Sequence, residues 1–314
     1  MKKVILISNW DLQCGNAEYA RDLKKELEKE FEVTGLPGNM NVVRSSMTSF
    51  SETVIVNWHP TRVSINVDDV RWLKKMNKRV IIILQNSFRG PVDVRAGSML
   101  LEADVVVGHE EMEFEGTGVR YQSIPHGIVE VEELPAIYPT PCIGTAGFPF
   151  PWKRFDVVAE AAKKFNTRCR MIAPRSDQLD TDLFMEGIAG HIGPLANIYR
   201  SWLPAQQVVS MLAECWANIF WFTSYSPEDQ LGQSGSVRLG IAARRPVIIS
   251  THRKLRTLFQ YEDELYIAGR EEDVYRHLET ILAAPERAKR PKRILEEMGW
   301  SVVGKQYREL VNSL

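Results

Sequence analysis

Lys153 stands between a glycine-ended apolar run, Cys142 to Gly147, and an amphipathic stretch from Arg154 to Phe165. A lysine at a strand-to-helix junction can bring its ammonium to a phosphate beside the positive end of the helix dipole. On a plain surface helix the same side chain would only be solvated. Further on, Gly232-Gln233-Ser234-Gly235-Ser236 opens another helical stretch, and the amides and hydroxyls of Ser234, Gly235 and Ser236 can cap that helix or cradle a phosphate. Near the start, Gly15 lets backbone approach a ligand closely, and Asn16 begins the next helix, where it can serve as an N-cap. His126, between Pro125 and Gly127, could polarise a hydroxyl or a phosphate; a structural role is the alternative. His59 and His109 also follow apolar runs.

Other patterns point elsewhere and are weaker. Asp180-Thr181-Asp182 has the spacing of a metal-holding carboxylate pair, but it precedes Leu183-Phe184-Met185, where a helix start accounts for both acids. No metal is expected. Arg287, Lys289, Arg290, Lys292 and Arg293, with Arg253, Lys254 and Arg256 upstream, could meet anionic lipid or nucleic acid. The Arg287 to Arg293 cluster carries no interleaved aromatic residue for base stacking, and a solvated helix flank is the preferred reading. Cys14, Cys142, Cys169 and Cys215 are scattered singly, which fits neither a zinc site nor a disulfide framework and is simplest in a reducing cytoplasm.

The elements that must position these residues follow from patterning. The chain has 314 residues, 44% hydrophobic and 25% charged, enough for two cores of ordinary size. Lys plus Arg number 39 against 40 Asp plus Glu, so no global field draws the protein toward nucleic acid. The apolar run after Met1-Lys2-Lys3 breaks at Ser8-Asn9, too soon for a signal sequence. No apolar stretch reaches the roughly 18 residues that cross a bilayer, which leaves only peripheral membrane contact.

Short β-rich runs alternate with amphipathic helices, the signature of crossover units on a parallel sheet. Strands are expected at Val4–Ser8, 31–36, 53–57, 79–84, 104–108 and 119–124 in the first half. After a linker at Glu130 to Pro141 with three prolines, they recur at 142–146, 168–173, 217–222, 246–250 and 264–268. Helices are expected at 18–29, 69–76, 154–165, 205–214, 234–243 and 271–283, with two more from Pro291 to Leu314 broken at Gly299. The fold class is α/β: two Rossmann-like halves facing a cleft at the carboxyl ends of their strands.

Several segments, in order, resemble the GT-B glycosyltransferases, particularly the group-1 or family-4-like retaining enzymes. Gly15 to Leu23 is similar to the family's glycine-bearing loop and first helix, and Ile124-Pro125-His126-Gly127-Ile128 to the motif closing the N-terminal domain. Ile143 to Gly147 followed by Trp152-Lys153-Arg154-Phe155-Asp156 resembles the strand, loop and helix carrying the donor-phosphate lysine. Leu203-Pro204, Thr223 to Glu228, Gly232 to Ser236 and Arg244 to Ile248 follow in the family's order, and Gly299 to Val303 is similar to a closing helix that crosses back.

The resemblance implies residues 1–138 as an acceptor-side domain, 139–290 as the nucleotide-sugar domain, and 291–314 as helices returning to the first. It also implies transfer of a sugar from a UDP- or GDP-linked donor, without a metal or other cofactor, to a glycan, lipid-linked or other hydroxyl acceptor. Gly15, Asn16, Gly147, Lys153, Arg154, Ser234, Gly235 and Ser236 would hold the donor; Lys153, His126 and Glu228 are the catalytic candidates. Without a metal, cations and helix N-termini must stabilise the departing diphosphate.

The chain departs from the family's pattern at three places. Phe148 stands where an arginine is common, Val237 or Leu239 where a second glutamate is common, and Gln85-Asn86 where a histidine often follows the fourth strand. A nucleotide-sugar epimerase and a non-catalytic sugar-nucleotide-binding protein are the alternatives, and a transferase acting on modified DNA bases is a narrower variant.

Overall fold

The computed structural model of the chain describes residues 1–46, 52–59, 63–85, 94–110, 117–176, 179–223 and 234–314. They form two compact units, Met1–Gly127 with Trp300–Leu314, and residues 128–223 with Ser234–Gly299.

In the first unit, β1 (Lys3–Ser8), β2 (Glu32–Pro37), β3 (Thr53–Trp58), β4 (Arg79–Leu84), β5 (Val105–Gly108) and β6 (Tyr121–Ser123) make one parallel sheet in the order β2-β1-β3-β4-β5-β6. The inner strands read as unbroken apolar runs because parallel strands are covered on both faces; Val80 to Ile83 are all fully buried. The crossovers are α1 (Gly15–Leu27), α2 (Met40–Ser46), α3 (Val67–Lys75) and α4 (Val94–Glu102). Helix α3 starts with a reciprocal cap: Asn66 accepts from the amides of Asp68 and Asp69, and Asp69 accepts from the amide of Asn66.

The second sheet runs β12-β11-β10-β7-β8-β9, again all parallel: β7 (Cys142–Ala146), β8 (Arg168–Ile172), β9 (Ala196–Tyr199), β10 (Ala217–Phe220), β11 (Val247–Ser250) and β12 (Tyr266–Ala268). Side chains alternate between two cores. Ile143, Met171, Ile219 and Ile248 join one with Phe155 and Leu278, while Phe220, Val247 and Ile249 join the other with Val209 and Leu258. The covering helices are α5 (Phe155–Lys164), α6 (Asp182–Ile192), α7 (Ala205–Ala213), α8 (Gly235–Ala242), α9 (Glu271–Ala283) and α10 (Arg293–Met298).

The proline-bearing stretch read as a linker is tied to the second unit by its backbone. The Tyr138 amide donates to Glu214 O, the Trp216 indole donates to Tyr138 O, and Arg245 donates to Pro135 O. Helix α10 also belongs there, burying Ile294 and Met298. The final helix α11 (Trp300–Asn312) instead joins the first unit, with Trp300, Val303, Tyr307, Leu310 and Val311 buried along one face. It is fastened to α1 by a 2.7 Å bond between the hydroxyls of Tyr19 and Tyr307 and by Arg308 to the buried Glu26 carboxylate at 3.1 Å.

Candidate functional site

In the second sheet the chain leaves β7 toward β8 and β9, then returns to build β10, β11 and β12 on the other side. The carboxyl ends of β7 and β10 therefore flank a topological switch point, the place where open α/β sheets hold ligands. The turn after β7 begins at Gly147, whose φ of +122° disfavours any side chain. A Cβ there would also stand 2.8 Å from Lys153 Nζ and 2.9 Å from Ser236 Cβ. Gly147 thus exists so that a lysine and a serine from distant segments can converge over bare backbone.

Lys153 ends a tight helical turn, Pro151–Lys153, whose amide donates to Phe150 O at 2.8 Å. The residue is half-buried, but its ammonium is withdrawn over the face of Phe222, 5.9 Å from the ring centre. It has no hydrogen-bond or ion-pair partner among the described residues. Burial, with the charge of Lys254 adding to it, pushes its pKa down to about 8. A desolvated cation without a counter-charge is costly, and such groups cluster at binding sites.

Ser236 is buried, and its hydroxyl meets that of Ser234 at 3.0 Å. Ser234 flanks α8 but its side chain does not cap it, so of the two roles open to this serine the helix cap is not the one adopted. Gly235 is the first residue of α8, whose leading amides lack a side-chain acceptor. Arg154 was expected within α5 and as a phosphate contact. Instead it takes a left-handed conformation before the helix, and its guanidinium is engaged by Asp156 and by Glu271, each at 2.8 Å. Glu228 lies outside the described residues.

In the first unit, Gly15 is exposed at the start of α1 with open space where a Cβ would be. Asn16 belongs to an amide network at the carboxyl ends of β1, β3 and β4. Asn57 donates to Ser8 Oγ and Asn16 O, each at 3.0 Å, Gln85 donates to Asn57 Oδ1 at 2.6 Å, and Asn16 donates to Asn9 Oδ1 at 3.3 Å. His126 packs in a ring cluster with Tyr19, His109 and Trp300, and its Nδ1 lies 2.9 Å from Gly127 O. Gly127 is required there because a Cβ would lie 2.3 Å from the Trp300 indole. Sequence reasoning missed Phe222 and Lys254 beside Lys153, and Asn57 as a hub. The one legible signal was an asparagine inside the otherwise apolar Thr53–Trp58.

Several residues of the remaining motifs are engaged within the fold. Asp180 accepts from the Asp182 amide at the start of α6, and Asp182 pairs with Arg175 and Arg200, which hold its carboxyl below the usual range. No cluster of three metal-ligating side chains occurs among the described residues. Lys289 donates to Glu262 O, and Arg293 pairs with Asp263 at 2.8 Å.

No family model matches the chain, and no curated protein matches it by sequence. Solved structures do match by fold. HepE from Anabaena, in complex with UDP and glucose, superposes with a TM-score of 0.72 over 100% of both chains at 11% identity. Sucrose-phosphate synthase from Thermosynechococcus elongatus gives 0.74 over 100% of both at 12% identity. A glycosyltransferase from Rickettsia africae gives 0.73 over 99% of this chain and 98% of its own at 13% identity. The chain has the two-domain α/β fold of these GT-B glycosyltransferases, as the resemblance in its sequence implied.

Proposed function

We propose that the protein is a glycosyltransferase that moves a sugar from a nucleoside-diphosphate donor, UDP-linked before GDP-linked, to a hydroxyl acceptor, by a metal-independent and retaining route. The observation that carries this reading is the buried ammonium of Lys153, without a counter-charge among the described residues, converging with Ser236 on Gly147 at a switch point. The fold is shared with proteins whose structures hold UDP, which favours that nucleotide. As the bond to the sugar breaks, negative charge grows on the departing diphosphate. Lys153 supplies a point charge for it, and Ser236 with the amides at the start of α8 supplies hydrogen-bond donors that need no rearrangement. A leaving phosphate oxygen can take the acceptor's proton, so this route asks for no strong protein base.

A second reading is a sugar-nucleotide-binding protein without turnover. It is favoured by Val237, which is fully buried in the core where a second acid would be needed, and by Phe148 in the arginine position.

Thermal unfolding against a panel of nucleoside diphosphates tests the donor site. At about one hundred times its Kd, UDP should add about 2.7 kcal/mol of stability, and Lys153→Ala should remove that gain. Stabilisation by NAD or ATP alone would overturn the assignment. Release of UDP from a UDP-sugar, persisting in excess chelator and accelerated by an acceptor, separates the enzyme from the binding protein and checks metal independence. An α-configured product from an α-linked donor checks retention.

A further inference from the structure

A cavity of about 390 Å3 opens at the carboxyl ends of β10, β11 and β12, on the side of the second sheet away from β8 and β9. Its volume is in the range of small-molecule sites. Trp221, Phe222 and Thr223 line it from the segment after β10, and Thr251, His252 and Arg253 from the turn after β11. Phe222 is the ring over which Lys153 lies, so the cavity borders the candidate donor site without containing its lysine.

The wall combines buried rings with hydroxyls and one cation. Trp221 is 6% exposed, and its indole N–H has no acceptor among the described residues. His252 is buried, and its Nδ1 accepts from the Lys254 amide at 3.1 Å, which places the proton of the neutral ring on Nε2. Two threonine hydroxyls and the exposed Arg253 guanidinium complete the set. No carboxylate lines the cavity among the described residues. The nearest acid to its Gly269 edge is Asp273, which already accepts from the amides of Gly269 and Arg270 and pairs with Arg276.

We propose that this cavity is a second binding site, for a small polyhydroxylated ligand that bears an oxyanion, such as a monosaccharide carrying a phosphate or a carboxylate. Arg253 meets the oxyanion, the threonine hydroxyls meet its hydroxyls, and the aromatic walls cover the ring face. The site does not depend on the donor assignment, because none of its residues is needed to hold a diphosphate.

Isothermal titration of the full chain with glucose 6-phosphate, glucuronate, glucose and inorganic phosphate, each with and without saturating UDP, tests it. Glucose 6-phosphate or glucuronate should bind at least tenfold more tightly than glucose, and which of the two binds better identifies the oxyanion. Binding should persist in UDP and in Lys153→Ala. Arg253→Ala should weaken it tenfold or more, and Thr251→Val, which keeps the side-chain shape but deletes the hydroxyl, a few-fold. The proposal is overturned if neither anionic sugar outbinds glucose, if UDP displaces it, or if both variants bind as the parent does. Lack of a UDP response with retained sugar-anion binding would sink the donor reading and leave this one standing.

Discussion

At Lys153 a pKa of about 8 makes nucleotide affinity depend on pH, and the direction is fixed. The free protein holds a full charge there only below pH 8, whereas a bound diphosphate favours the protonated form. UDP affinity is therefore expected to fall as pH rises above 8, and calorimetry near that pH should register proton uptake on binding. A pH-independent affinity between 7 and 9.5 would contradict it. The same depression is destabilising in the free protein: the unfolded chain keeps the proton up to about pH 10.5, so this group opposes folding most below pH 8 and ceases to do so above 10.5. Lys153→Met should consequently raise the melting temperature at pH 7 by about 1–2 kcal/mol of added stability, after discounting for the partial exposure of the residue, while abolishing UDP binding. Gly147→Ala should do the reverse of a neutral change, costing about 1–3 kcal/mol for its φ and its clash with Lys153 and Ser236. Lys153 and Ser236 were legible because each sits at a strand-to-helix junction. Phe222 and Lys254 were not, because only the parallel order of β7, β10 and β11 brings them near.

At the scale of elements, central strands announced themselves by unbroken apolar runs and helices such as α9 by their period. The edge strand β9 did not: Ala196-Asn197-Ile198-Tyr199 is short and half exposed, so it lacks the run that burial on two faces imposes. Nor did the sequence place Arg154 outside its helix, since a left-handed residue other than glycine leaves no compositional mark. The start of α11, where it packs on α1, holds a device that left no mark in the sequence. Asp22 on α1 bonds to the Trp300 indole, yet burial and the nearby Glu18 raise its carboxyl pKa to about 7. A carboxyl so shifted holds its proton in the folded state where the unfolded chain has lost it. Its contribution to stability is lost as pH rises from about 4 through 7. Asp22→Asn keeps an acceptor for the indole and removes the titration. It should leave the protein unchanged near pH 4 and stabilise it by about 1–2 kcal/mol at pH 8, a figure reduced for partial exposure. Equal melting temperatures for variant and parent at pH 8 would show that the carboxylate is solvated there.

For the molecule as a whole, composition bounded the number of domains and the sign of the surface, but not where the chain changes unit. Residues 128–141 carry the three prolines of a linker yet are bonded to the second unit by Tyr138, Pro135 and Ile128, contacts made by backbone groups whose partners lie far along the sequence. Charge, by contrast, is a property that composition does fix. With 39 basic against 40 acidic side chains, the chain as a whole carries almost no net charge to draw a polyanion toward it. The basic stretch from Arg287 to Arg293 is also partly engaged, Lys289 by backbone carbonyls and Arg293 by Asp263. Transfer to modified bases in DNA would need the chain to hold a duplex through its phosphates, and each phosphate neutralised would steepen the fall of affinity with salt by about one unit of log–log slope. The expected result is no retention of duplex DNA at near-physiological salt and no binding that grows steeply as salt is lowered, alongside UDP binding whose salt dependence is shallow because Lys153 acts from a desolvated position. A steep salt slope for DNA would instead place the acceptor among nucleic acids and require cations that lie outside the groups just described.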